Sequence, residues 1–203
     1  INIGETGEID AIAWINQGNM SNARSLIRWD LSFIPSNAIV HSADLSLYAY
    51  NSPDNGQHST LSGSNEAVLN KVTSPWNEYT VTWSSIPSVT TTGQVTLPAS
   101  TSATQDYLNT DVTTFVQDMV ANPATNYGLM LQLVTEQAYR QLVFASSDNS
   151  DPAKHPKLDL CYSVPVKVNE IISRDIVEVK QIENALLIES PTLFGADMQF
   201  NIF

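Results

Sequence analysis

Charge is scarce in this sequence, and positive charge is scarcer still. Asp, Glu, Lys and Arg make up only 15% of the 203 residues, with nine basic residues against 21 acidic ones and a formal net charge of −12. Such a surface repels phosphate backbones, which excludes nucleic acid as a partner. It also disfavours polyanionic glycans unless basic residues gather locally or bound cations intervene. Cysteine occurs once, at Cys161, so no internal disulfide can form. Cys161 reads as a small strand residue. No run approaches the roughly 18 consecutive apolar residues of a membrane-spanning helix. The three histidines, His41, His58 and His155, are isolated in sequence. No nucleophile elbow, phosphate loop or zinc-type spacing is present, which leaves no motif for catalysis. Ile1 opens the chain without a methionine, and this reads as a mature or trimmed N-terminus.

Ser, Thr and Asn are abundant instead, and 42% of residues are hydrophobic. That balance suits sheet faces and polar turns around a sizeable core. Period-2 alternation predicts strands at 25–31, 43–50, 68–72, 79–83, 94–97, 128–134, 140–145 and 157–162, separated by Gly, Pro, Asn and Asp. One segment breaks the pattern. Val112, Phe115, Val116, Met119 and Val120 recur at helical spacing, and Asn122-Pro123 ends them. The expected fold class is all-β: an antiparallel jelly-roll β-sandwich over residues 1–163 with one short helix near 113–121. A linker is expected at 164–174, and the start of a small second β-sandwich at 175–203.

Three segments carry a family resemblance. RSLIRWDLSFIP at 24–35 continues through Ala38 to Tyr48, WNEYTVTW spans 76–83, and DVT at 111–113 leads through YGLML at 127–131 to FASS at 144–147 and PKLDL at 156–160. Together they resemble the DNRLRE-type domains of secreted bacterial and archaeal proteins. The resemblance implies a jelly-roll related to carbohydrate-binding modules, some of them alginate-binding, and to spacer or adhesion modules. Within the motif, Arg28, Asp30, Trp76, Glu78, Thr80, Trp83 and Phe144 read as structural. Val81 and Trp83 are expected to pack inward, Trp76 to close over a core edge, and Glu78 to accept from Arg28 or nearby amides. Arg28 and Asp30 are expected to share an ion-pair network on one strand face.

For function, binding is expected rather than catalysis, with a polysaccharide or surface polymer as ligand. Sugars need aromatic faces for stacking and polar neighbours for their hydroxyls. Tyr48 and Tyr50, with Ser46, share one strand face and form the best platform, with Trp14 and Tyr139 as weaker candidates. A structural or adhesive spacer without a glycan site is the alternative. Calcium is the one cofactor considered. Asp148 and Asp151 offer oxygen ligands, with Asp54, Asn55 and Asp106 as possible neighbours, against the simpler reading of an Asx-rich turn. The C-terminal segment has a different texture. Val177-Glu178-Val179, residues 184–191 and residues 198–203 resemble the early strands of type IX secretion sorting domains. That implies a secreted or outer-surface location in a Bacteroidota-type bacterium. It also implies a translocon or shuttle partner that would pair with the alternating run Met198, Phe200 and Ile202.

Overall fold

The computed structural model describes residues 2, 4–165, 178–182 and 185–189. Contacts divide the chain into two units, Ile1–Pro165 and Val166–Phe203. In chain order the first unit contains β1 (Glu8–Asn16), β2 (Asn19–Ala23), β3 (Ser25–Ile27), β4 (Ile39–Leu47), β5 (Ser59–Thr60), β6 (Ala67–Val72), β7 (Val89–Leu97), β8 (Tyr107–Asp111), α1 (Thr113–Ala121), β9 (Leu129–Leu133), β10 (Arg140–Ala145) and β11 (Lys157–Ser163). The second unit shows β12 (Glu178–Ile182) paired antiparallel with β13 (Ala185–Glu189).

All strand pairs of the first unit are antiparallel, in the orders β3-β9-β6-β7, β2-β1-β10-β5 and β11-β4-β8. The last two sheets are stitched together just past β4. There Ala49 bridges Phe144, the Ala145 N–H donates to the Tyr48 carbonyl and the Tyr50 N–H donates to the Val143 carbonyl. This is the expected all-β sandwich with a single α-helix. One core fills it. Leu69, Leu129 and Leu131 come from one sheet, Ala11, Leu142 and Phe144 from the second, and Ala43, Leu45 and Leu47 from the third. Each leucine buried this way stabilises the fold by roughly 2 kcal/mol. The helical stripe Phe115, Val116, Met119 and Val120 joins the same core, and the Asp111 carboxylate accepts the Thr113 N–H where the helix begins.

Three expectations need correction. Residues 79–83 form no strand. The Asn77 side chain accepts the Tyr79 N–H at 3.0 Å, and the Asn77 carbonyl accepts from Thr80 and Val81, so an Asx turn takes the backbone groups a strand would need. The predicted strand at 25–31 stops at Ile27, because the Asp30 carboxylate accepts the Ser32 N–H and turns the chain. Finally, β1, β2, β5 and β8 are additional strands, and β1 is central, flanked by β2 and β10.

Candidate functional site

Register places the candidate platform. On β4 and its extension Leu45, Leu47 and Ala49 face the core, so Tyr48 and Tyr50 face outward. Across the ladder Tyr48 stands opposite Ala145, which stands opposite Glu8. Tyr50 stands opposite Val143, which stands opposite Asp10. Directly opposed residues share a face. One outer surface therefore carries two rows, Tyr48–Ala145–Glu8 and Tyr50–Val143–Asp10. Farther along β1 the same face carries Trp14, whose ring meets Tyr139 edge-on at 5.2 Å between centroids.

Both tyrosines are half-buried. Lys157 pairs in register with Ser46, and the Asp159 carboxylate, with a lesser contribution from Tyr48, holds its amine above the ordinary lysine pKa. Lys154 Nζ donates to the Ala49 carbonyl at 3.3 Å. The platform is thus two phenol rings with Lys157 across from Ser46 and Lys154 bonded to the backbone between the rings. Ser46 is not part of the exposed surface. It is 4% exposed, and its hydroxyl accepts the Asn109 N–H at 3.2 Å.

Beside the tyrosines the face is covered. A turn at 52–56, closed by reciprocal Ser52 and Gly56 backbone bonds, lays Asn55 over Glu8 and Asp10. Burial, then the Glu8 charge, pushes the Asp10 carboxyl up to about 7 against a partial opposing bond from Asn55. The loop ends on His58, whose Nδ1 accepts the Val143 N–H at 2.9 Å and whose Nε2 bonds the Gln105 carbonyl. Its ring lies edge-on to Phe144 at 5.0 Å. Sequence reasoning did not mark Glu8 and Asp10. The available signal was the acid–apolar alternation Glu8-Ile9-Asp10-Ala11, which as a strand puts both acids on one face with Ile12 and Trp14.

Apart from Phe144, the family-motif residues lie on and around the 73–88 loop and the end of β3. Arg28 is exposed and stacks its guanidinium 5.3 Å over the Trp76 ring. Trp76 Nε1 donates to the Tyr127 carbonyl at 2.7 Å. Arg24, paired with Glu136 at 2.6 Å, stacks 5.0 Å over Trp83. Trp83 is 51% exposed and not packed inward, because the turn at Asn77 removes the alternation that would have buried it. Among the described residues, Arg28 and Asp30 form no ion pair and Glu78 accepts nothing from Arg28. Asp30 is committed to Ser32, and this bond holds its carboxyl below the ordinary range. Thr80 is exposed beside Asn77, and Phe144 is fully buried in the core.

The Asp148–Asp151 loop is a set of Asx turns. Asp151 accepts the Ala153 N–H at 3.1 Å, and Asn149 donates to the Gly7 carbonyl at 2.7 Å. Asp106 accepts the Ala49 N–H, and Asp54 is exposed. Among the described residues no three His, Cys, Asp or Glu side chains gather as a metal cluster. Met198, Phe200 and Ile202 lie outside the described residues.

No curated protein matches this chain. A family model does: the one for carbohydrate-binding module family 96 covers residues 6–161, every strand of the first unit except the last two residues of β11. An all-β sandwich accords with that match, and the chain belongs to carbohydrate-binding module family 96.

Proposed function

We propose that residues 1–163 are a non-catalytic module that binds a carbohydrate or surface polymer through the outer face bearing Tyr48 and Tyr50. Family membership supports the ligand class. The observation that carries the site is the placement of two half-exposed tyrosines, two residues apart on one outward strand face, with Lys157 beside Tyr48. Phenol rings offer flat apolar faces for the C–H side of a sugar, while their hydroxyls and the lysine amine serve its oxygens. The backbone beneath is a hydrogen-bonded ladder, so the rings are held in place before the ligand arrives. Retention on a panel of immobilised polysaccharides tests this. The module is retained by at least one, and Tyr48→Ala/Tyr50→Ala weakens that retention by about tenfold or more, equivalent to about 1.4 kcal/mol. Absence of retention across the panel would leave a structural or adhesive spacer as the function.

The proposal extends to export. The resemblance of residues 177–203 to early sorting-domain strands supports a protein carried by a type IX pathway to the outer surface of a Bacteroidota-type cell or to the medium. Residues 164–174 would be the linker, and Met198, Phe200 and Ile202 the contact with a translocon or shuttle. Deleting residues 165–203 with any native continuation tests this by cell fractionation. Periplasmic retention of a folded module is the expected result, and unimpaired surface delivery would end the reading.

A further inference from the structure

The covered half of the outer face holds more negative charge than its surroundings satisfy. Glu8 and Asp10 are 8% and 1% exposed. One donor serves both: Asn55 Nδ2 reaches Glu8 Oε1 at 2.6 Å and Asp10 Oδ2 at 3.1 Å. The two carboxylates therefore converge on a single nitrogen. Their remaining oxygens, Glu8 Oε2 and Asp10 Oδ1, are buried with no hydrogen-bond partner. Among the described residues no Lys or Arg pairs with either acid. Buried carboxylates left uncompensated are strongly unfavourable, so a proton, a buried water or a cation completes the site.

The surroundings favour a cation. Asn55 can present its amide oxygen by a half-turn about its last torsion, which converts the shared donor into a third oxygen ligand. The carbonyls of Asn55 and Gln57 are fixed on the same loop by Gln141 Nε2, each at 2.6 Å, and each keeps a second lone pair. Two carboxylates, an amide and nearby carbonyls on an adaptable loop suit calcium, which accepts six to eight oxygens in flexible geometry. Magnesium demands near-ideal octahedral order. We propose that Glu8 and Asp10, with the Asn55 side chain, form a calcium site that pins the 52–58 loop onto the sheet. The ion would sit in the register rows of Tyr48 and Tyr50 and hold the rim of that face. The proposal does not rest on the glycan reading, since it is argued from the buried carboxylates and the oxygens of the 52–58 loop.

Calorimetric titration of the chelator-treated full chain with calcium chloride at neutral pH tests it. The expected result is one ion per chain. Melting should rise by about 5 °C or more at a hundredfold excess of calcium over its Kd. Glu8→Gln and Asp10→Asn each abolish the binding heat, while Asp148→Asn/Asp151→Asn preserves it. Should Asp10→Asn fail to fold, Asn55→Ala supplies a milder variant, expected to weaken binding more than tenfold. Absence of heat and of any melting shift in the wild-type chain at millimolar calcium would overturn the proposal and leave a shared proton or a buried water as the compensation. Binding that survives Glu8→Gln and Asp10→Asn, or that is lost in Asp148→Asn/Asp151→Asn, would also overturn it.

Discussion

Two regions of this domain display aromatic side chains, and they are held by opposite means. Tyr48 and Tyr50 are positioned by their backbone: ladder bonds to Val143 and Ala145 fix the strand, and alternation turns the rings outward. Trp76 and Trp83 sit on the irregular 73–88 loop and are positioned by their own side chains, through the indole bond to Tyr127 and the stacked guanidinium groups of Arg28 and Arg24. An aromatic ring on a ladder can be removed without unfastening anything. A ring that is itself the fastener cannot. The strand face is therefore free to serve a ligand, and the loop rings serve the fold. Truncating each set should separate binding from stability.

The largest effect falls where the loop region is anchored. Gly128 follows Tyr127, has φ +78, and a side-chain carbon there would run into the Ile27 carbonyl and the Arg28 backbone. Gly128→Ala combines a left-handed backbone with a backbone collision. It should cost about 2–4 kcal/mol in urea unfolding, near the top of the usual range for one substitution. Trp76→Phe is the next test. It keeps the stacking ring and removes the donor to Tyr127, so a loss of about 1 kcal/mol is expected with polysaccharide retention unchanged. A larger loss of retention than of stability would move the ligand site to the loop.

The smallest effect concerns the end of the 52–58 loop, where His58 packs against the core rings Phe144 and Tyr107. Burial holds His58 below the ordinary histidine pKa, against the smaller opposing effects of its bond to the Gln105 carbonyl and of the Asp106 charge. A depressed folded-state pKa means that the unfolded chain takes up the proton first. The stability from neutral His58 is complete above the unfolded value of about 6.5 and is lost as pH falls below it. Between pH 7.5 and 5, melting of the wild type should drop more steeply than that of His58→Gln. Parallel curves would show that His58 does not couple the loop to pH.

The ladder was legible in the sequence because alternation reports directly on which side of a strand meets the core. Leu45 and Leu47, Leu129 to Leu133 and Arg140 to Ala145 all fell where period 2 placed them, as did the 3.6-residue stripe of α1. The loop was not legible. Thr80, Val81, Thr82 and Trp83 have strong strand propensity, yet the carboxamide of Asn77 captures the backbone ahead of them. Local side-chain bonds of this kind outweigh propensity and leave no periodic trace. Ser46 misled for a related reason: alternation sends it outward, but Asn109, far along the chain, lies over its hydroxyl. Glu8 and Asp10 are the extreme case. Their burial depends on a loop more than forty residues away, and nothing in residues 8–10 alone announces that cover.

Affinity electrophoresis of the wild type, Tyr48→Ala/Tyr50→Ala and Trp83→Ala against one retaining polysaccharide tests the central claim most directly. The strand-face account predicts about tenfold or greater loss of retention in the double tyrosine variant, with its unfolding midpoint little changed, and wild-type retention in Trp83→Ala. Undiminished retention in the tyrosine variant, or its loss in Trp83→Ala with the fold intact, would contradict it.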